Sequence, residues 1–445
     1  MDKIIQFLEK NFVPVAGKMA AQKHLQAIRD GMVLSTPLLI FGSFFLVLGF
    51  LPIPGYEGFM AGVFGPEWLT KLLYPVNITF GLLGVFVSIG VAYRLAEKYK
   101  VDALSAGAVS LAAYMLLIPF QVPFTPEGAA EAVMVGGVVP TFLLGSQGMF
   151  VAIITAIFTT EIFRRIIQKG IVIRMPEGVP PAVARSFIAL IPASISIGCV
   201  WLIRIIFEAT SYETVFRFIN TVLGAPLTRM GTGLGGTIVA VLFIHLLWAF
   251  GLHGANIVDS VMLPIWRQLS DQNRMVFQAD PTAILPNIAT REFLDVFILI
   301  GGSGATLVLC ILMLRFAKSK QLKQLGRLSI GSGIFNINEP IIFGMPIVMN
   351  PLMMIPFILG PVVVTIVSYI ALKMGLVARL AGIAMPWTSP ILLSGFLASG
   401  GKLSVVALQM VNFLIMAVVY YPFFRIWDKK KLEEEKQEEA KSKTA

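Results

Sequence analysis

Apolar stretches of about 20 residues, the length of helix that crosses the hydrocarbon layer of a bilayer, recur along almost the whole of this chain. Only 13% of its residues are charged and 56% are hydrophobic, against roughly 25% charge in soluble domains. Backbone in lipid must satisfy its own hydrogen bonds. The expected fold is therefore all-α: a polytopic membrane protein of about ten transmembrane helices, with re-entrant hairpins and interfacial amphipathic helices. A soluble enzyme with a greasy core is excluded by how long these stretches are and how often they return.

The spans read as 31–50, 72–93, 103–118, 147–163, 182–207, 234–250, 293–314, 351–372 and 404–424, with a shorter, interrupted segment at 381–399 as a tenth. Lysine and arginine cluster in the short segments between them. Lys3, Lys10, Lys18 and Lys23 precede the first span, Arg94, Lys98 and Lys100 follow the second, and Arg164, Arg165, Lys169 and Arg174 follow the fourth. The intervening loops are nearly free of them, which places the amino terminus in the cytoplasm. The net charge of +10 is therefore topogenic rather than a footprint for nucleic acid. The same reading applies to the basic loop 164–174, which also offers a docking surface for a cytoplasmic partner.

Residues 1–24 alternate charge with apolar residues at helical spacing, which predicts an interfacial helix and no cleavable leader. The chain divides into an amphipathic cytoplasmic segment (1–30), a five-span scaffold or dimerisation domain (31–207), an interfacial connector (208–229), a substrate-binding transport domain with re-entrant hairpins (230–426) and a charged cytoplasmic tail (427–445). In the second half, charge and crossing number conflict. Either the stretch 253–292 adds an unusual crossing or hairpin, or the basic run from Arg315 to Arg327 lies as an amphipathic helix on the other face. The polar, proline-broken composition around Pro264, Pro281 and Pro286 favours the first.

From Leu328 to Leu372 the chain carries a single charged side chain, Glu339, within Asn336-Ile337-Asn338-Glu339-Pro340. An unpaired carboxylate in hydrocarbon costs at least a few kcal/mol, so it is neutralised, paired or faces a wet cavity. Gly331 and Gly333 allow close backbone approach and Pro340 ends helical turns, which predicts a re-entrant hairpin with a polar tip that receives a hydroxylated substrate. A carboxylate that only caps or bridges helices is the plainer alternative. His253, between Gly251 and Gly254 and followed by Asn256, is a second candidate, with His245 assigned to packing. Trp387, braced by Pro386 and Pro390 beside Thr388 and Ser389, is either an interfacial anchor or an aromatic face on which a pyranose stacks. Asn287 is a weaker candidate.

The chain has no nucleotide loop, zinc spacing or nucleophile elbow, so no metal, cofactor or self-contained catalytic apparatus is expected. Cys199 and Cys310, its two cysteines, both fall inside apolar spans. Energy for transport must come from an ion gradient, a partner or the substrate gradient.

The run Gly333 to Pro340, the Gly251-Leu252-His253-Gly254 element and the basic-flanked first half together resemble the membrane subunit, enzyme IIC, of the bacterial phosphotransferase system, in its lactose/cellobiose/diacetylchitobiose branch. That resemblance implies a homodimeric permease of the cell membrane with both termini cytoplasmic. It would carry a β-linked disaccharide by an elevator motion of the second domain, for phosphorylation by a separate phosphocysteine IIB protein, with IIA upstream. It implies that Glu339 and His253 contact the hydroxyl to be phosphorylated, that Asn336 and Asn338 orient the ring and that Trp387 stacks on it, with Asn256 and Asn287 as lesser contacts. The alternative is a proton-coupled sugar symporter in which Glu339 carries the proton; a sensor that binds sugar without moving it is more remote.

Overall fold

The apolar runs fold as helices, and the places where they break are the places where the sequence supplies glycine, proline and amide side chains. The structure, a computed structural model, describes residues 10, 14–51, 53–125, 131–176 and 178–444. Half of the amphipathic stretch expected at 1–24, residues 1–9 and 11–13, lies outside these residues. The chain forms two compact units, one of Ala21–Phe45 and Pro66–Arg229, the other of Met1–Ala20, Leu46–Gly65 and Met230–Ala445. Residues 46–65, expected within the 31–207 domain, therefore group with the second half of the chain. Phe50 sets its ring edge against Phe277 at 5.2 Å, an apolar contact within that unit.

The first unit contains α1 (Lys23–Val33), the start of α2 (Thr36–Gly49), α3 (Tyr74–Gly81), α4 (Leu83–Tyr99), α5 (Ala103–Leu117), α6 (Met149–Gln168) and α7 (Pro181–Glu208). A short hairpin pairs β1 (Gln121–Phe124) with β2 (Val133–Gly136). Helices α1 and α4 touch backbone to backbone: a Cβ on Gly31 would lie 2.5 Å from the Val91 nitrogen, so only glycine fits. Ser88 and Ser110 join α4 to α5 at 2.9 Å, and Asp102 caps α5 by accepting the Ser105 amide at 3.0 Å. Arg164 and Arg165 both pair with Glu161, at 2.7 and 3.1 Å, so part of the basic loop's charge is spent locally. Arg204 and Glu208, four residues apart on α7, form an ion pair at 2.8 Å. The connector expected at 208–229 begins with the helix Val215–Ile219, which buries Val215, Phe216 and Ile219 and leaves Arg217 outside.

The second unit adds α8 (Leu234–Ala249), α9 (Gly254–Ala279), α10 (Leu307–Phe316), α11 (Lys320–Ile334), α12 (Glu339–Gly344), α13 (Pro351–Lys373) and α14 (Leu403–Thr444). Its core includes the buried rings of Trp266, Phe293, Phe297, Phe357 and Tyr420. Among the described residues, four helices are long and apolar enough to cross a membrane, Lys23–Gly49, Val183–Glu208, Pro351–Lys373 and Leu403–Lys441. The pair α3 and α4, bent by 43°, passes the same test only when the two are taken together, and α5, α8 and α10 are shorter apolar helices. The protein is an all-α, multi-pass membrane protein.

Three expectations need correction. The span at 293–314 is not one helix: a π-helical turn at Leu294–Ile298 gives way to irregular backbone before α10, with Gly301, Gly302, Gly304 and Ala305 all at positive φ. The tenth span at 381–399 is irregular backbone up to the short helix Leu393–Ala398. The proline-broken reading of 253–292 fails at Pro264, which lies inside the continuous helix α9. A proline there costs roughly 3 kcal/mol, and burial of Ile257, Leu263, Trp266, Leu269 and Phe277 along the same helix outweighs it.

Broken backbone at membrane depth needs polar partners. Helix α14 supplies them from within an apolar run: Gln409 Nε2 donates to the Val296 carbonyl at 2.9 Å, Asn412 Nδ2 to Phe297 at 3.2 Å and the Tyr420 hydroxyl to Gly304 at 2.7 Å. The same helix continues into the charged tail. Asp428, 1% exposed, accepts the Lys318 amide at 2.9 Å and the Ser319 amide at 3.0 Å, and Glu435 accepts the Ser319 hydroxyl at 2.6 Å and the Lys320 and Gln321 amides. Part of the charged tail therefore clamps the start of α11, where helix donors lack internal partners. Replacing Asp428 by Ala should lower stability by about 2 kcal/mol, the range for hydrogen bonds to a charged acceptor. Thermal unfolding of the purified protein checks this, and an unmoved midpoint would contradict it.

Candidate functional site

Asn336 stops α11 and starts the site. It sits at φ +63°, the left-handed position just past a helix end, and two amides close the stop: Asn336 N donates to Gly333 O at 3.0 Å and Ile337 N to Ser332 O at 3.0 Å. Asparagine tolerates this conformation better than other side-chain-bearing residues. The next helix, α12, begins at Glu339 with Pro340 in its first turn, where a missing amide costs nothing. Glu339 is exposed, as expected for a hairpin with a polar tip.

The amide of Asn336 does more than end a helix. Its Oδ1 accepts the Gly301 amide at 2.7 Å, and its Nδ2 donates to the carbonyls of Trp387 at 2.6 Å and Ser389 at 3.0 Å. Asn338 Nδ2 donates to Ser303 O at 2.7 Å. Three non-helical segments, 299–306, 335–338 and 386–389, are thus pinned together by two asparagines. Gly302, at φ +89°, passes so close that a Cβ there would lie 2.5 Å from Asn338 Cγ. Asn336 is 9% and Asn338 4% exposed, so these bonds are made in a dry setting.

Trp387 lies on the third of these segments with 56% of its surface exposed, and Ser389 N donates to Pro386 O at 2.9 Å to close its turn. A cleft beside the indole is lined by Arg267, Glu292, Asp295, Ser389 and Ser394 among others; neither Glu339 nor His253 is part of its lining.

His253 occupies a different junction. Helix α8 ends in a left-handed glycine, Gly251 at φ +79°, with Leu252 N closing on Leu247 O at 3.0 Å. His253 then caps α9, its Nδ1 accepting the Asn256 amide at 3.3 Å, and its ring lies 4.4 Å from that of Trp248. The histidine is exposed and Asn256 half-buried. The flanking glycines were expected to leave room for a ligand. Instead Gly251 makes the turn, and Gly254 packs on the Ile244 backbone, where a side chain would collide. The corner abuts the chain that follows α12, since Met349 N donates to Ala249 O at 2.9 Å. His245 is a packing residue, fully buried, with Nδ1 on the Val241 carbonyl at 2.7 Å.

Asn287 is committed to structure. Its Nδ2 donates to Gln272 Oε1 at 2.8 Å and Leu269 O at 3.2 Å, while its backbone amide donates to Asn273 Oδ1 at 2.8 Å and its carbonyl accepts Asn273 Nδ2 at 2.8 Å. The structure therefore brings Asn336, Asn338 and Trp387 together directly, places Glu339 at the end of the same pinned tip, holds His253 at a neighbouring corner and leaves Asn287 apart. Sequence reasoning missed Gln409, Asn412 and Tyr420, whose signal was polar groups inside the apolar run 404–424, and missed the buried charges lining the cleft. Among the described residues no cluster of ligating side chains could hold a metal ion.

A multi-pass helical protein whose broken segments converge on an exposed indole and the Glu339 tip has the form of a small-solute permease. Comparison with known proteins agrees and goes further. The phosphotransferase system EIIC family model matches residues 29–361. The cellobiose-specific EIIC component of Geobacillus stearothermophilus is 60% identical over 98% of this chain and 96% of its own length, and the lichenan permease IIC component of Bacillus subtilis (strain 168) is 56% identical over the same shares. The crystal structure of the transporter ChbC, the IIC component from the N,N'-diacetylchitobiose-specific phosphotransferase system, matches with a TM-score of 0.94 at 56% identity, over 97% of this chain and 99% of that one.

This chain belongs to the phosphotransferase system EIIC family. It is the sugar-transporting membrane subunit of such a system, working with a sugar substrate and the IIB and IIA components.

The clamp yields a prediction. Asn336→Ala removes three hydrogen bonds and puts alanine in a left-handed conformation, so stability should fall by about 2–4 kcal/mol and sugar affinity with it. Parallel unfolding and binding measurements check this; a variant that keeps both would contradict the clamp.

Proposed function

We propose that this subunit binds a β-linked disaccharide of the cellobiose or diacetylchitobiose class and carries it across the cell membrane, delivering it for phosphorylation by a separate IIB protein bearing a phosphocysteine. The observation that carries the reading is the Asn336 junction, which fixes an exposed indole and the helix that starts at Glu339 to one braced point. A pyranose presents C–H faces that stack on an indole and hydroxyls that bond to polar groups at its edge. A monosaccharide needs one such surface; a disaccharide needs a second, and Trp387 and the Glu339 tip supply two.

In this reading Trp387 stacks on one ring, and Glu339 accepts the hydrogen bond of the hydroxyl that receives the phosphoryl group, with His253 sharing that hydroxyl and Asn256 beside it. As the phosphoryl group arrives the hydroxyl must lose its proton, and a carboxylate within hydrogen-bond reach can take it. Asn336 and Asn338 act through the backbone they hold rather than by touching sugar, because their amides are engaged. Asn287 likewise supports the α9 region from behind. The donor belongs to a partner, since Cys310 is buried and Cys199 half-buried within α10 and α7, which is unsuited to a phosphocysteine.

The first half of the chain serves as scaffold and homodimer interface, and both termini are cytoplasmic, as the distribution of lysine and arginine favours. Glu339→Gln should lower IIB-dependent uptake in sealed vesicles by at least about a hundredfold while retaining measurable sugar binding. Unchanged uptake in that variant would sink the assignment. Uptake that ignores phosphorylated IIB but collapses with a protonophore would point instead to proton-coupled symport.

A further inference from the structure

The cleft beside Trp387 is walled by charge that nothing above uses. Arg291 is balanced twice, by Asp259 at 2.6 Å and Asp295 at 3.0 Å. Glu292 is 4% exposed and only half engaged. Its Oε2 accepts the Ser270 hydroxyl at 2.5 Å, while Oε1 is buried without a hydrogen bond among the described residues. The nearest cation, Arg267, approaches Oε1 to 3.8 Å, close enough for attraction and too far for a hydrogen bond. Both residues line the cleft, together with Asp295, Trp387, Ser389 and Ser394.

A buried carboxylate oxygen without a donor is costly to keep, and costlier with an arginine beside it that could have closed the gap. The arrangement fits an acceptor and a donor held apart for a group that does both. A sugar hydroxyl is such a group: it donates one hydrogen and accepts another. Water could fill the same gap, but the exposed indole on the adjoining wall favours a ligand with an apolar face and polar edges. A purely structural salt bridge would be expected to close to hydrogen-bonding distance and to satisfy both carboxylate oxygens.

We infer that Arg267 and Glu292 form a hydroxyl-binding subsite beside Trp387, in which one hydroxyl of the stacked ring donates to Glu292 Oε1 and accepts from the Arg267 guanidinium. The inference rests on the reading that a disaccharide stacks on Trp387, and it assigns specificity at that ring to these two residues. A ring lacking this hydroxyl leaves both groups unpaired, which is how a buried polar pair discriminates strongly between similar ligands.

The test uses the full-length protein and measures affinity for cellobiose and for each of its monodeoxy analogues, in the wild type and in Glu292→Gln, Arg267→Lys and Trp387→Ala. Glu292→Gln should weaken cellobiose binding by about tenfold or more, yet leave one monodeoxy analogue bound as in the wild type, because that analogue has already lost the contact. Arg267→Lys, which keeps the cation, should single out the same analogue and serves if Glu292→Gln does not fold. Equal weakening of every analogue indicates a structural role and overturns the subsite, as does unchanged cellobiose affinity in the folded variants. Failure of Trp387→Ala to weaken any of them would instead overturn the stacking on which the subsite depends.

Discussion

Backbone that leaves the helix inside a membrane must find its hydrogen bonds in the protein, and in this chain one residue meets that requirement for three segments at once. Asn336 takes the left-handed conformation that ends α11, accepts from Gly301 and donates to Trp387 and Ser389. Few residues could do this. Glycine would adopt the conformation but has no side chain to donate, and aspartate would accept from Gly301 but repel the two carbonyls. Each bond is worth about 1 kcal/mol net, but leaving any of the three buried backbone groups unmet costs more than that. The irregular path at 299–306 and the turn that presents Trp387 exist in the form they do because this amide holds both.

A second layer stands behind the first. Gln409, Asn412 and Tyr420, along α14, take up carbonyls of the π-helical and irregular stretch from Val296 to Gly304, while Asn338 holds Ser303. One long helix therefore stabilises the broken element along its length, and its charged end captures the start of α11 through Asp428 and Glu435. The hairpin that carries Glu339 is anchored at both ends: by the tail at Lys318–Gln321 and by Asn336 at its tip. Such a frame suits a site that must keep its geometry while its surroundings change from one side of the membrane to the other.

Much of this was legible in the chain. Apolar length marked the helices α2, α7, α13 and α14, and the isolation of Glu339 next to two asparagines and a proline marked the tip, because an acid in an apolar setting needs a reason. What could not be read was how polar residues far apart in sequence would meet. The resemblance implies that Asn336 orients the sugar ring; what the sequence does not show is that its side chain bonds backbone groups more than thirty residues away on either side. The span at 293–314 looked continuous because hydropathy does not register glycines taking positive φ, and α9 looked broken because Pro264 is visible in sequence while the packing that overrides it is not. Arg267 and Glu292 lie in the polar stretch 253–292 and Asp295 at the start of the span read at 293–314; only folding brings the three together as a wall of the cleft.

The central claim is that the exposed indole of Trp387 is a sugar-binding surface because Asn336 holds it. A double-mutant cycle on disaccharide affinity, using Asn336→Ala, Trp387→Ala and both together, reads that dependence directly. Coupling of about 1–2 kcal/mol is predicted, with Trp387→Ala costing little further affinity once Asn336 is gone. Losses that simply add would mean that the two residues act independently, and would contradict the claim.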